Sequence, residues 1–123
     1  MHADEYQVQL AQQMREDALQ AQVLQAAGVL GWRCYHTKDS RGSQRGFPDL
    51  VLVRGGRLIF AELKRMPTTK SPARPTPDQQ GWLDDLNRVA QSLGPVLVPD
   101  AGIEVYVWRP IDMIRDDILE VLR

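Results

Sequence analysis

The stretch Asp49-Leu50-Val51-Leu52-Val53-Arg54-Gly55-Gly56-Arg57-Leu58-Ile59-Phe60-Ala61-Glu62-Leu63-Lys64 decides how this chain folds. It holds two β-type runs separated by a Gly-Gly pair. A two-residue hairpin turn needs positive φ at its centre, which glycine adopts without steric penalty. The runs are apolar at nearly every position instead of alternating, which predicts strands covered on both faces. Pairing Arg54 with Arg57 fixes the register and carries Asp49 opposite Glu62 at the far end. Directly opposed side chains have Cβ atoms about 4.5–5.5 Å apart and share one face. Lys64, two residues beyond Glu62, projects from that same face.

Two opposed carboxylates repel each other, so the pair needs a counter-charge. Either Lys64 alone neutralises it at a solvated sheet end, or a divalent cation bridges it. Hard oxygen donors on adjacent strands suit Mg²⁺ or Mn²⁺, which keep several waters and bind through one or two carboxylates and a substrate phosphate. Lys64 would then stand beside a cation-bound water.

Outward from the hairpin, Val8, Ala11, Met14, Ala18, Leu19, Val23, Ala26, Ala27 and Leu30 recur every three or four residues. This spacing predicts one long amphipathic helix from Tyr6 to Leu30, stopped by Gly31. Trp32–His36 reads as a first strand, followed by a polar loop from Thr37 to Phe47. Met66–Pro75, with three Pro and two basic residues, reads as a loop whose composition fits a DNA-sensing arm or a disordered segment. Thr76-Pro77-Asp78-Gln79 opens a helix, with Thr76 as N-cap and Pro77 at the first position, and Gly94-Pro95 ends it. Glu104–Arg109 is a further strand, and Pro110 starts a last helix. The expected order is α-β-β-β-α-β-α: a single α/β domain spanning residues 1–123, with a mixed sheet between helices.

The 123 residues carry 15 Lys+Arg and 16 Asp+Glu, a net charge of -1 with a pI near 6.1. That total argues against a general polyanion binder. It hides a segregation, because residues 33–74 carry ten basic residues against Asp39, Asp49 and Glu62, a net of +7. Both flanking segments are acidic. Arg41, Arg45, Lys70 and Arg74, on loops beside the hairpin end, are the candidate phosphate contacts. Cys34 is the only cysteine, so no internal disulfide is available, and a reducing cytoplasm is expected. No signal-peptide pattern and no membrane-spanning apolar run is expected either.

Pro48-Asp49 followed by Glu62-Leu63-Lys64 matches the signature of the PD-(D/E)XK nuclease superfamily, a short and degenerate motif when taken alone. Gly46-Phe47-Pro48-Asp49-Leu50, the Glu62-Leu63-Lys64 strand, Thr76-Pro77-Asp78-Gln79 and Val105-Tyr106-Val107-Trp108-Arg109-Pro110 together resemble the virus-type replication-repair nuclease (VRR-NUC) family. The small stand-alone phage and bacterial members are the nearest likeness. The resemblance runs from about Glu16 to the C-terminus and includes Gly31-Trp32 and Tyr35-His36. It implies a restriction-endonuclease-like core and a Mg²⁺- or Mn²⁺-dependent DNA endonuclease that cuts branched DNA such as Holliday junctions or flaps, acting as a homodimer. Asp49, Glu62, the Leu63 carbonyl and a first-helix Glu16 would hold metal, and Lys64 would position or activate water.

Gln79 matches a glutamine of the family's second helix, yet Thr76-X-X-Gln79 is also a capping box, so two roles compete for one side chain. His36, at a strand end, is expected to be structural, and Trp32, Trp82 and Trp108 to fill core positions. Cys34 is expected to be a small buried hydrophobe, and Ser40 has no base pattern that would make it a nucleophile. The competing reading is a catalytically inactive nuclease-fold module that binds DNA or an assembly. An anion-binding metabolic enzyme is a more distant third.

Overall fold

A computed structural model describes residues 3–38, 44–93 and 101–123. The elements are α1 (Ala3–Gln13), α2 (Glu16–Val29), β1 (Arg33–His36), β2 (Leu50–Arg54), β3 (Arg57–Leu63), α3 (Pro77–Ser92), β4 (Gly102–Trp108), α4 (Pro110–Ile114) and α5 (Asp117–Leu122). The sheet order is β1-β2-β3-β4, antiparallel across the first two pairs and parallel between β3 and β4. Parallel neighbours need a long crossover, and the segment containing α3 supplies it. This is the mixed α/β sandwich expected from the sequence. No helix among the described residues is long and apolar enough to cross a membrane.

The hairpin forms as its glycines dictate. Gly55 sits at φ 58°, and Arg54 pairs with Arg57, Leu52 with Ile59 and Leu50 with Ala61. One face of the sheet presents Leu50, Leu52, Ile59, Ala61, Leu63 and Trp108 to Leu19, Val23 and Ala27 of α2 and to Ile118 and Leu122 of α5. The opposite face is covered less completely than the apolar pattern suggested. There α3 packs over β4, while Tyr35 and Val53 stay 59% and 41% exposed on the β1–β2 side. A single helix is too narrow to roof four strands.

Two helices expected as single pieces are each broken in two. The apolar spacing runs unbroken through Met14, yet Arg15 is extended (φ −80°, ψ 159°) and α2 starts afresh at Glu16. Glu16 and Asp17 thereby occupy a helix N-terminus, where the backbone dipole favours negative charge, and Asp17 accepts a hydrogen bond from the Ala18 amide (2.9 Å). Met14 still packs against the core, so burial pattern alone could not expose the break. The last helix divides at Asp116, which adopts φ 65° and separates α4 from α5. The helix end expected at Gly94-Pro95 lies outside the described residues; α3 itself closes at Ser92 with Leu93 as C-cap.

Arg54 ties the hairpin to the helices. Its guanidinium donates to the carbonyls of Leu30 (3.0 Å), Leu122 (2.8 Å) and Arg123 (3.0 Å) while lying 4.6 Å above the Trp32 ring. The Trp32 indole N–H adds a 2.8 Å bond to the Leu122 carbonyl. Orphan carbonyls at two helix ends are thus satisfied by one cation. Trp32 and Trp108 are 5% and 4% exposed, as core tryptophans should be, and Trp82 is half-buried. Cys34 is half-buried, and burial pushes its thiol above the ordinary value. His36 closes β1 on an exposed position.

Candidate active site

Asp49 stands one residue before the first ladder pair, Leu50 with Ala61, so the register sets it beside Glu62. Three bonds hold it there. Its Oδ2 accepts from the Leu63 amide at 2.7 Å, its carbonyl accepts from the Thr37 amide at 2.8 Å, and the Thr37 hydroxyl donates to the Pro48 carbonyl at 2.7 Å. Thr37 therefore fastens the Pro48-Asp49 segment to the end of β1, a role no motif in the sequence suggested.

Gly46 is the second positioning residue the sequence concealed. At φ 85° its backbone lies so close to the start of α3 that a Cβ would stand 2.5 Å from the Asp78 carbonyl carbon and 2.6 Å from the Gln79 nitrogen. The next residue, Phe47, packs edge-on against Phe60 and Trp82, with centroids 6.1 and 5.1 Å away. The segment leading to Asp49 is thereby wedged against the helix that carries Gln79. Gly46→Ala is expected to destabilise the fold by about 2–4 kcal/mol, from a strained φ and a backbone clash together. Chemical denaturation checks this, and an unchanged midpoint would mean that the wedge is loose.

Glu62 is 1% exposed. Its Oε1 accepts from the Gln79 amide nitrogen at 3.1 Å, and its Oε2 is buried with no hydrogen-bond partner among the described residues. Burial, then the hydrogen bond and charge of Asp49, push its carboxyl up to about 9, with Glu16 adding a little and Lys64 opposing. Burial and a neighbouring acid both disfavour the charged form of the Glu62 carboxyl. Lys64 follows as a half-buried residue whose amide donates to the Trp108 carbonyl at 3.0 Å, extending the parallel ladder.

The two roles that competed for Gln79 coexist. Its Oε1 accepts from the Thr76 amide (2.8 Å) and its backbone N–H donates to the Thr76 hydroxyl (3.2 Å), completing the capping box. The amide nitrogen remains free to reach Glu62. A primary amide has an acceptor end and a donor end, so the competition read from sequence was not a real one.

Glu16, at the start of α2, lies near the hairpin end and accepts from the Arg65 amide at 3.3 Å. A small cavity of about 220 Å³ is lined by Glu16, Asp17, Gln20, Asp49 and Leu63. The structure thus brings Glu16, Asp49, Glu62, Leu63, Lys64 and Gln79 to one end of the sheet. Gln20 joins them unforeseen, although it lies one helical turn from Glu16 and helical spacing alone could have flagged it. Arg45, Lys70 and Arg74 are exposed, and Arg41 lies outside the described residues.

The donor set suits a hard divalent cation. It consists of carboxylates and a backbone carbonyl, with an unsatisfied carboxylate oxygen on Glu62. Among the described residues no three His, Cys, Asp or Glu side chains are gathered as a ready-made site. Asp49 and Glu62 are adjacent, while Glu16 is engaged by the Arg65 amide. No protein family, curated protein or solved structure matched the chain.

Proposed function

We propose that the chain is a Mg²⁺- or Mn²⁺-dependent DNA endonuclease with a restriction-endonuclease-like PD-(D/E)XK core. The observation that carries this reading is the burial of Glu62 against Asp49 with one carboxylate oxygen unsatisfied. A buried, partnerless polar atom costs about 1–3 kcal/mol, and a folded protein keeps such an atom where function uses it. Asp49, Glu62, Glu16 and the Leu63 carbonyl would hold the cation, which when bound polarises a phosphate and acidifies water.

The chain's own groups divide the remaining work. Gln79 fixes the orientation of Glu62 through one carboxylate oxygen and leaves the other open. The Leu63 amide and the Thr37 strap fix Asp49. Lys64, on the same face, donates to the attacking water and holds it in line with phosphorus, and the water's proton passes to solvent. The water oxygen adds to phosphorus as the bond to the 3′ oxygen breaks, leaving a 5′-phosphate and a 3′-hydroxyl. Arg45, Lys70 and Arg74 supply basic charge for the DNA backbone. Branched DNA is the substrate class, and a second copy of the chain would supply the second cut at a four-way junction.

The test is cutting of linear, flapped and four-way DNA with Mn²⁺, Mg²⁺ or EDTA. Cation-dependent nicking is expected. Lys64→Met is expected to slow it about a hundredfold or more, the size of a lost positioning contact to the reacting group. Tight DNA binding with no cutting under any condition would favour the second reading, an inactive binding module. That module would have no use for two acids inside a basic segment.

A further inference from the structure

The break between α1 and α2 opens a hollow of about 530 Å³ beside the candidate site. Met14 and Met66 form apolar walls, Gln12 and Gln13 contribute amides, and Arg15 and Arg65 contribute guanidinium groups. It shares Glu16 and Asp17 with the smaller cavity at Asp49, so the two spaces adjoin. The acids on this shared rim offset Arg15 and leave Arg65 as the guanidinium open to a phosphate. Asp17 pairs with Arg15 at 3.5 Å, and Glu16 is taken by a backbone amide. The Arg65 guanidinium has no carboxylate partner among the described residues, and donates to the Met66 carbonyl at 3.4 Å. The far wall is the start of the 66–75 loop, where Thr68 and Ser71 exchange backbone bonds of 2.7 and 3.3 Å.

The volume falls within the roughly 300–1,000 Å³ range of sites that take small molecules. Duplex DNA, with its bases stacked inside, presents nothing that such a hollow could admit. A nucleotide outside the duplex presents a flat apolar face for polarisable thioethers, base-edge donors and acceptors for amides, and a phosphate for arginine. We propose that the hollow receives one unpaired nucleotide next to the scissile phosphate. The cutting site is thereby selective for forked or flapped DNA, where no unpairing energy has to be spent. Two amides that can each present either end make the subsite tolerant of base identity. This inference rests on the nuclease reading for the identity of the polymer.

The test compares wild type with Met66→Ala and Arg65→Gln on forked and blunt duplexes of equal nucleotide number, carrying 2-aminopurine at the first unpaired position or its paired equivalent. Binding is followed by anisotropy without divalent cation, and cutting with Mn²⁺. Wild type is expected to bind the fork about tenfold more tightly, the upper size of a thioether contact with a ring. The fluorophore emission should change on binding only in the fork, and both variants should lose most of the preference. Equal affinity for the two DNAs, unchanged emission, or a preference surviving both substitutions would overturn the proposal. Arg65 is exposed, so its variant reports even where Met66→Ala fails to fold. Cutting of both DNAs without preference removes the hollow and keeps the nuclease. Fork preference without cutting does the reverse.

Discussion

Glu62→Gln is expected to melt at a higher temperature than the wild type at pH 8 and to cut no DNA. The carboxyl of Glu62 is raised from an ordinary 4.5 to about 9, first by burial and then by Asp49. The folded state therefore binds a proton that the unfolded chain has released. Below about pH 4.5 both states are protonated and there is no penalty; the penalty grows as pH rises toward 9. A glutamine is neutral throughout, can accept from Gln79, and offers Asp49 a donor. The gain at pH 8 is expected to be about 1–3 kcal/mol, closing toward pH 4.5. Mn²⁺ at a hundredfold excess over its dissociation constant should stabilise the wild type by about 2.7 kcal/mol and the variant far less. Thermal melts across this pH range with and without Mn²⁺ read all of it. A variant less stable than wild type at pH 8 would mean that the buried carboxyl is not strained.

Asp49→Asn is expected to lower cutting by at least about a thousandfold without unfolding the chain, since it removes a charge from the cation site and leaves an oxygen to accept from the Leu63 amide. It has a second signature. Asp49 supplies two of the four causes that raise Glu62, so the loss of stability with rising pH should shrink. Equal nicking of branched and linear duplexes by variant and wild type would end the catalytic assignment. Lost cutting together with an unchanged pH profile would mean that the two acids act separately.

The hairpin and its consequences were legible in the sequence because glycine chemistry and strand register are local rules. Gly55-Gly56 fixes one pairing, and every other pair follows, including the adjacency of Asp49 and Glu62. The capping box at Thr76 was equally local. The break at Arg15 was hidden because Met14 packs against the core even though the helix does not continue through it. Gly46 and Thr37 were hidden because their partners, Asp78 and Pro48, come close only after β1, β2 and α3 have assembled. The hollow depends on the break at Arg15, since it lies where α1 parts from α2 opposite the start of the 66–75 loop.

The first turn of α3 shows how a helix start can be constrained from outside. Capping chemistry alone accepts glutamate as readily as glutamine three residues after the threonine. At position 79 that freedom vanishes, because the same side chain touches Oε1 of Glu62. Glutamate would cap Thr76 equally well and would set a further carboxylate against a buried one. Two amino acids that helix formation treats as synonyms are here told apart by the charge of a neighbour seventeen positions upstream.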